Sequence, residues 1–508
     1  MGDFDAATSD MLSLRAKSIA VIGAGPSGLV AARYLRAEKA FSKVVLFEQR
    51  PRDGGIWNYT AEERDEDLFT VPQTNPAGKN QSPIWKPASM NGHPTVGAIG
   101  TAKDPAFVSP MYERLETNIP RALMGFKGLD WPHDSQLFPK HQTVLKYIED
   151  YGRDVQDTVR YGTQVTNVTP NADDATTSWS VTSRNLQTST DMTETFDAVI
   201  VANGHFITPY IPDIPNIAEW NTAHPGLISH SKYYRRPEEF AGKKVIVVGN
   251  SASGADISNQ IASHCTLPLL WSSKSTNLFV SATPTDPRRP ELPPIKQFNL
   301  ATRGVEFEDG TIEDTIDAIV FATGYFYSLP FLSNITPALV TDGSRVNNTY
   351  KHLFYAPRPT LSFLALPQRV IPFPTAEAQA AVLARVYSGR LSLPPVSEMQ
   401  QWEKEREKEA PGRAFHLLPF PKDGENINEL SKWALSAPRR EGLENEGKGM
   451  VPPVWGEWEF WCRENFPKIR QAFGKLGEKR FTTRTLEEVG FSFEAYQRGK
   501  ALEEEKLI

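Results

Sequence analysis

The sequence GAGPSG at residues 23–28 decides the fold of the first part of this chain. It follows the apolar run IAVI at residues 19–22 and precedes LVAARYL, whose apolar residues recur with a helical period. In a GxGxxG turn, the first glycine permits the tight turn and the second lets the backbone approach a pyrophosphate. The third lets the helix pack on the strand, and the phosphate then lies at the helix N-terminus. This stretch therefore predicts a strand–turn–helix unit that binds a dinucleotide.

An acidic residue lies where such a unit needs one. Glu48 follows the apolar stretch KVVLF at residues 43–47 and lies 20 residues after Gly28. A carboxylate at this place accepts hydrogen bonds from ribose hydroxyls. The next segment, GGIW at residues 54–57, predicts a second close approach of the backbone to the same ligand. The candidate contacts of this first dinucleotide are Gly23, Gly25, Pro26, Ser27, Gly28, Glu48, Gln49, Arg50, Gly55, Ile56 and Trp57.

A second fingerprint, GNSASG at residues 249–254, lies 226 residues after the first and has Ser251 in place of the middle glycine. Its next strand ends in WSSK at residues 271–274, with hydroxyls and a cation instead of an acid. Such groups suit a ribose that carries a 2′-phosphate. The two sites therefore predict FAD and NADPH, and hence a flavoprotein that NADPH reduces. The candidate NADP contacts are Gly249, Asn250, Ser251, Ser253, Gly254, Ser272, Ser273 and Lys274.

Two similar strand-to-turn segments predict how the domains connect. FDAVIVANG ends at Gly204 and IDAIVFATG ends at Gly324, which suggests that the chain crosses between domains twice. We expect an α/β fold with two Rossmann-like three-layer dinucleotide-binding domains, the NADP domain inserted into the FAD domain. The expected segments are 1–208 for the first part of the FAD domain (with an irregular insertion at about 60–110), 209–321 for the NADP domain, and 322–508 for the second part of the FAD domain plus a C-terminal extension.

Composition excludes several other classes of protein. The 508 residues have a net charge of −6 and no long basic stripe, so nucleic acid is not expected as a partner. Two cysteines, Cys265 and Cys462, cannot form a four-cysteine metal site, and we expect no metal. Neither a signal peptide nor a stretch of about 18 apolar residues is visible, so we expect a cytoplasmic protein without a membrane anchor.

Four segments together resemble the flavin-containing monooxygenases, the class B FAD- and NADPH-dependent enzymes. The segment HPGLISHSKYYR at residues 224–235 is similar to the family motif FxGxxxHxxx(Y/F), with Gly226, His230 and Tyr234 in register and His224 in place of the phenylalanine. The other matches are YERLETNIPRALMGF at 112–126, FPKHQTVLKYIEDY at 138–151 and VIPFPTAEAQAAVLARVYSGRLSLP at 370–394. The resemblance spans residues 18 to about 395, and the residues from 397 onward carry no motif that we can assign.

This resemblance implies a reaction. NADPH would transfer hydride to the flavin, and the reduced flavin would capture O₂ as a C4a-hydroperoxyflavin that oxygenates a nucleophilic nitrogen or sulfur of a small molecule. Asn118 would be the catalytic residue and a flavin contact, because an amide donates a hydrogen bond without reacting. Gln379 would contact FAD, and Gly226, His230, Tyr234, Thr323 and Gly324 would belong to the NADP site or the domain crossings. Members of the family often form dimers, so a homodimer is one assembly that the resemblance allows.

Three alternatives differ in their chemistry. A Baeyer–Villiger monooxygenase would insert oxygen into a ketone, and Tyr234 argues against it because those enzymes carry tryptophan at that motif position. A disulfide reductase needs two neighbouring cysteines, which Cys265 and Cys462 do not provide. A non-enzymatic redox sensor would bind flavin and NADP without oxygenating a substrate.

Replacing Lys274 with alanine should weaken NADPH binding about tenfold more than NADH binding, because only NADPH carries the 2′-phosphate that an ammonium group would neutralise. The measurement is the KM of each nucleotide for wild type and variant. An equal loss for both nucleotides would place the phosphate site elsewhere.

Overall fold

Two sheets with parallel central strands organise the molecule. The computed structural model describes residues 11–61, 69–76, 78–87, 89–90, 93–94, 103–274 and 286–506. The α-helices within these residues are Pro26–Glu38, Arg121–Met124, His141–Gly152, Ile217–Ala223, Ala252–Ile261, Pro372–Tyr387, Val396–Glu409, Lys422–Leu435, Glu444–Gly447, Glu457–Gly474 and Phe493–Lys506.

The first sheet has seven strands and is the centre of the FAD domain. In spatial order they are Thr349–Tyr350, Phe354–Tyr355, Leu361–Phe363, Ala198–Val201, Ser18–Ile22, Lys43–Phe47 and Val159–Arg160. Successive residues of a strand point to opposite faces, so Ile19 and Val21 pack against helices while Ala20 and Ile22 pack against the other layer. That other layer contains the antiparallel strands Thr163–Pro170, Trp179–Asn185 and Thr190–Phe196.

The second sheet has five parallel strands and is the centre of the inserted NADP domain. In spatial order they are Ile228–His230, Ala318–Phe321, Lys244–Val248, Thr266–Ser272 and Glu291–Leu292. Val245 and Val247 pack against the helix Ala252–Ile261, whereas Ile246 packs on the opposite layer. That layer includes the antiparallel strands Ile295–Asn299, Gly304–Phe307 and Ile312–Glu313. The expected pair of three-layer α/β domains, one inserted into the other, is confirmed.

Two crossing segments join the domains and pair with each other. Thr208–Pro209 and Tyr325–Phe326 form a two-stranded antiparallel sheet, in which Thr208 lies opposite Phe326. Each crossing follows a buried central strand of one of the sheets. We propose the boundaries of the inserted domain near residues 209 and 321, where the chain leaves one sheet and reaches the end of the other.

Two segments differ in detail from their sequence patterns. The periodicity of residues 138–151 predicts a helix, but the helix begins at His141, because residues 137–139 extend alongside residues 117–121. The region expected to be irregular contains the short paired strands Ile84–Pro87 and Lys103–Ala106, and Ser89–Met90 and His93–Pro94. The rest of that region lies partly outside the described residues. Among the helices in the described residues, none combines the length and apolar character needed to cross a membrane.

Two buried histidines bond to each other beside the C-terminal helices. The Nδ1 atoms of His352 and His416 lie 2.9 Å apart. A bond between two ring nitrogens needs one donor and one acceptor, so at least one ring is neutral. Burial lowers the pKa of His352 to about 3, and it holds the pKa of His416 well below the ordinary value. The folded protein therefore favours two neutral imidazoles.

The protein should lose stability as the pH falls below about 6.5, because these histidines bind protons in the unfolded chain but stay neutral in the folded protein. At pH 5 the loss is about 2 kcal/mol for one such histidine. We expect the melting temperature of His352→Gln to depend less on pH between about 7.5 and 5 than that of wild type. The exposed His133, changed to glutamine, is the control and should behave as wild type. Identical pH dependence of His352→Gln and wild type would contradict this assignment.

Candidate cofactor and substrate cleft

A cleft of about 2240 Å³ is lined by residues of both domains. Most of the residues predicted as cofactor contacts form its wall. They are Gly23, Gly25, Pro26, Ser27, Glu48, Gln49, Arg50, Gly55, Ile56, Trp57, Asn118, Gly249, Asn250, Ser251, Ser253, Ser272, Ser273, Lys274, Thr323 and Gly324. The others lie outside the wall: Gly28, Gly226, His230, Tyr234, Gly254 and Gln379.

The first fingerprint packs against the peptide that leaves the first sheet. Gly23 has a φ of +104°, and a Cβ there would lie 2.7 Å from the Ala202 carbonyl oxygen. A Cβ on Gly28 would lie 1.9 Å from the Gly23 carbonyl oxygen. Both distances are far inside van der Waals contact, so only glycine lets helix and strand approach this closely. Gly28 therefore sets the packing of the turn and lies outside the cleft wall, and its contact with FAD stays a prediction.

The turn at Gly54 and Gly55 lies directly on this fingerprint. The Gly54 N–H donates to the Ala24 carbonyl oxygen at 3.0 Å, and a Cβ on Gly55 would lie 3.0 Å from the Gly25 Cα. The helix Pro26–Glu38 begins with no side-chain cap and no acid in its first turn. Its first N–H groups are therefore available to a phosphate, and the surrounding glycines leave room for one. These features fit the pyrophosphate of FAD.

Glu48 is held at the end of its strand by two backbone bonds. Its Oε2 accepts from the Ala24 N–H at 2.9 Å and its Oε1 accepts from the Arg50 N–H at 2.8 Å. Burial raises the pKa of Glu48, and the Arg50 guanidinium, 3.9 Å from Oε1, opposes that rise. A carboxylate oxygen has two lone pairs, so each still has capacity for a ribose hydroxyl.

The second fingerprint repeats the geometry of the first. A Cβ on Gly249, whose φ is +109°, would lie 2.5 Å from the Ala322 carbonyl oxygen. A Cβ on Gly254 would lie 2.1 Å from the Gly249 carbonyl oxygen, so Gly254 also sets the packing of its turn. The helix Ala252–Ile261 begins with no side-chain cap and no acid in its first turn. This site therefore fits a second pyrophosphate.

Ser272 differs from its predicted role as a phosphate donor. The side chain is fully buried, and its hydroxyl donates to the Pro293 carbonyl oxygen at 2.8 Å. Because a serine hydroxyl has a single proton, Ser272 has none left to give a 2′-phosphate. Lys274 is exposed on the wall of the cleft, and its contact with the 2′-phosphate stays a prediction.

Two arginines missed by the sequence analysis line the same cleft. The Arg289 Nη1 donates to the Ala255 carbonyl oxygen and the Ser258 hydroxyl, and the guanidinium lies 4.7 Å from the Trp271 ring centroid. Arg288 lies next to it and pairs with Asp286. The sequence RRP at residues 288–290 was the available signal, but only the fold brings it beside the second nucleotide strand.

His230 and its neighbour Lys232 link both crossings to the NADP domain through hydrogen bonds. Its Nε2 lies 3.0 Å from the Gly324 carbonyl oxygen, and its Nδ1 accepts from the Lys232 N–H at 3.1 Å. A carbonyl only accepts, so the proton of the neutral ring is on Nε2. Burial lowers the pKa of His230 to about 3, and the Lys232 Nζ donates to the Ile207 carbonyl oxygen at 2.7 Å. His230 is thus a positioning residue and makes no contact with the cleft.

The other predicted residues that lie outside the wall are Tyr234, Gly226 and Gln379. The Tyr234 hydroxyl donates to the Gln260 Oε1 at 3.0 Å, inside the NADP domain. Gly226 adopts a φ of +81° in a turn. Gln379 is fully buried, and its Oε1 accepts from the Ala365 N–H at 2.8 Å, where Ala365 is part of the wall. Gln379 therefore reaches the cleft wall through Ala365, while its Nε2 is buried with no hydrogen-bond partner among the described residues, so its contact with FAD stays a prediction.

Asn118 lies at a bend of the chain on the cleft wall. The Thr117 N–H donates to the Pro139 carbonyl oxygen and the Arg121 N–H to the Leu137 carbonyl oxygen, both at 2.9 Å. These bonds hold the segment against residues 137–139. The Asn118 side chain is exposed to the cleft and makes no hydrogen bond to any residue that the structure describes. It does not cap the helix that starts after Pro120, so its amide is available to a ligand.

The C-terminal region, to which the sequence analysis gave no role, forms part of the same wall. Arg463, Phe466 and Arg470 of the helix Glu457–Gly474 line it, as does Arg480 of the following turn. The helix is amphipathic like any helix packed on a core, so its sequence carries no signal of a cleft.

Neither cysteine belongs to the cleft. Cys265 is half-buried and Cys462 is buried, and both are free thiols. Within the described ranges, no group of three or more histidine, cysteine, aspartate or glutamate side chains is arranged to bind a metal ion.

Two dinucleotide sites facing one cleft, the second in an inserted domain, define a flavoprotein that a nicotinamide nucleotide reduces. Comparison with known proteins identifies the family. A profile described as Flavin-binding monooxygenase-like matches residues 103–285 and 293–417, and an NAD(P)-binding Rossmann-like domain profile matches residues 21–86. The chain belongs to the flavin-containing monooxygenase family and is an NADPH-dependent flavoprotein monooxygenase with FAD as its cofactor.

Known relatives cover most of the chain. Flavin-containing monooxygenase FMO GS-OX-like 3 of Arabidopsis thaliana is 34% identical over 401 residues, which are 76% of this chain and 79% of that protein. Flavin-containing monooxygenase FMO GS-OX1 of the same plant is 35% identical over 404 residues, 76% and 77% of the two chains. The solved structure of S-allyl-L-cysteine S-oxygenase from Allium sativum matches with a TM-score of 0.72 at 28% identity, covering 95% of this chain and 98% of that one.

Replacing Gly28 with alanine should reduce the FAD content of the purified soluble protein at least about tenfold. The added Cβ would overlap the Gly23 carbonyl oxygen, and relieving such an overlap costs about 1–3 kcal/mol or more and moves the phosphate-binding turn. The measurement is flavin absorbance per protein. Gly474→Ala is the control, because a Cβ there meets no atom within 4 Å. A Gly28→Ala protein with full FAD content would show that this contact does not shape the site.

Proposed function

We propose that this monooxygenase transfers one oxygen atom of O₂ to a nucleophilic sulfur or nitrogen atom of a small molecule. For a thioether, the overall reaction consumes the thioether, NADPH, H⁺ and O₂, and yields the sulfoxide, NADP⁺ and water. NADPH supplies two electrons, one oxygen atom forms the new bond to sulfur, and the other leaves as water. Bound FAD supplies the chemistry that accepts hydride and activates O₂.

The observation that carries this proposal is the free amide of Asn118 on the cleft wall. An oxygenating flavin needs a hydrogen-bond donor that neither releases a proton nor reacts with an oxidant. A neutral amide has two N–H donors and meets both requirements. Backbone bonds of Thr117 and Arg121 fix the segment on either side, so the backbone that carries the donor is held at the cleft.

The preference for sulfur or nitrogen over a ketone now rests on the relatives. Tyr234, which favoured heteroatom oxidation in the sequence, bonds to Gln260 outside the cleft wall and therefore cannot select the substrate by contact. Support for sulfur comes from the similarity to S-allyl-L-cysteine S-oxygenase, an enzyme named for the oxygenation of a sulfur atom. The likeness to cyclohexanone monooxygenase, at 14% identity and a TM-score of 0.51, shows a shared fold and no more.

Turnover of a matched panel of thioethers, amines and ketones tests the proposal directly. Product formation should account for most of the NADPH consumed with a thioether or an amine. Ester formation from ketones, with no sulfoxide or N-oxide from the other compounds, would establish the Baeyer–Villiger alternative in its place.

Replacing Asn118 with serine should leave FAD content and flavin reduction by NADPH nearly intact while the yield of H₂O₂ per NADPH rises about tenfold. The shorter side chain withdraws the amide donor, and loss of one preorganised donor typically costs about a hundredfold or more in the step it serves. H₂O₂ and oxygenated product are measured in the same reaction. Asn334→Ser, an exposed asparagine away from the cleft, is the matched control. Unchanged coupling of NADPH to product in Asn118→Ser would remove Asn118 from the mechanism.

A further inference from the structure

One carboxylate in the cleft wall is shared by two arginines of the C-terminal region. The Glu116 Oε2 lies 3.3 Å from the Arg470 Nη2, and its Oε1 lies 3.2 Å from the Arg480 Nε. The side chain of Glu116 is only 9% exposed. Glu116 neutralises one guanidinium and leaves one net positive charge in this group, which we call the Glu116 cluster (Glu116, Arg470 and Arg480).

The two arginines are held in place before a ligand binds. The Arg470 guanidinium lies 5.1 Å from the Phe138 ring centroid and 5.5 Å from that of Phe473. The turn that carries Arg480 is fixed because the Leu137 N–H donates to the Thr483 carbonyl oxygen at 2.8 Å. The arginine side chains are 24% and 34% exposed, so each keeps part of its surface at the cleft. An anion would pay little ordering entropy to bind such donors.

The cluster lies beside Asn118. Residues 116 and 118 are two apart in a chain that bends at Asn118, so their backbones lie no more than about 7 Å apart. All the residues concerned, Glu116, Asn118, Arg470 and Arg480, line the same cleft. A substrate whose reacting atom lies near the Asn118 amide would therefore have its far end near a guanidinium.

The charge of the whole cleft favours an anion. Acidic residues outnumber basic ones in the chain, 61 to 55, whereas basic side chains outnumber acidic ones two to one along the cleft wall. Some of these cations lie at the fingerprints, where the cofactor phosphates would be: Arg50, Lys274, Arg288 and Arg289. Arg470 and Arg480 instead pair with Glu116, two residues before Asn118. This segment belongs to the first domain and is part of neither fingerprint.

We propose that the substrate carries a carboxylate, and that Arg470 and Arg480 bind it while the nucleophilic atom lies at Asn118. This inference rests on the proposed function and names the substrate class for the same site. Guanidinium groups form charge-assisted, frequently bidentate bonds with carboxylates, which orient the bound molecule as well as hold it. The enzyme therefore selects short thioether or amine acids over their neutral analogues.

The test compares N-acetyl-S-methyl-L-cysteine with its neutral carboxamide, using holoenzyme and measuring sulfoxide formation. Wild type should show a kcat/KM at least about tenfold higher for the acid. Arg480→Gln and Arg470→Gln should each reduce that ratio about tenfold, the effect of losing one charge-assisted bond of about 1.4 kcal/mol, by raising KM for the acid alone. Glu116→Gln should raise the ratio, because it removes the competing negative charge while its single amide oxygen still accepts from one of the two arginines. Arg498→Gln, an exposed site outside the wall, is the charge-matched control.

Two results would overturn the inference: equal losses for acid and carboxamide, or a rise in the KM of NADPH that accompanies the loss in Arg470→Gln. The second result would assign Arg470 to the nucleotide, since its charge also acts on Asp256 of the NADP-domain helix.

A binding measurement separates this inference from the proposed function. N-acetyl-L-norvaline has the carboxylate but no nucleophilic sulfur, and its dissociation constant can be read from the flavin absorbance of the oxidised holoenzyme. Weaker binding of this acid to Arg480→Gln supports the anion site even if neither thioether is oxygenated, in which case only the proposed reaction fails. Equal binding by wild type and Arg480→Gln overturns the anion site whatever the activity.

Discussion

The close contact between each fingerprint glycine and the carbonyl of a crossing peptide is the constraint on which the cleft depends. Gly23 lies against Ala202 and Gly249 lies against Ala322, in each case too close for any side chain. This contact places a helix N-terminus, with its free N–H groups, beside the point where the chain leaves a sheet. The same peptides begin the domain crossings. The same glycine–carbonyl contact, present once in each domain, therefore fixes both phosphate sites and both crossings.

Buried polar groups then set how the two domains meet. His230 donates to the Gly324 carbonyl of one crossing, and Lys232 donates to the Ile207 carbonyl of the other. A protonated His230 would place a second N–H against the Lys232 backbone donor, so the neutral tautomer belongs to this arrangement. Within the family motif, His230 therefore bonds to the backbone of a domain crossing.

The substrate site that we propose belongs to a different part of the chain from the two fingerprints. The fingerprints position phosphates, whereas the helix Glu457–Gly474 and the turn after it bring cations to the segment that carries Asn118. This division lets the two cofactor domains remain the same while the C-terminal region changes the charge of the wall. The buried ion pair between Arg463 and Asp423 fixes the helix against its neighbours, so the wall is as rigid as the core behind it.

The sequence by itself determined the two nucleotide-binding units, the insertion of one domain into the other, and the cofactors, because glycine spacing and apolar runs act over a few residues. It also singled out Asn118, although only through the surrounding motif. Only the tertiary structure decided that the Ser272 hydroxyl bonds to Pro293, that Gln379 bonds to Ala365, and that Arg470 and Arg480 pair with Glu116. Those roles depend on contacts between residues 14 to more than 350 positions apart, which no local pattern encodes, because a side chain's partner is set by how the layers pack.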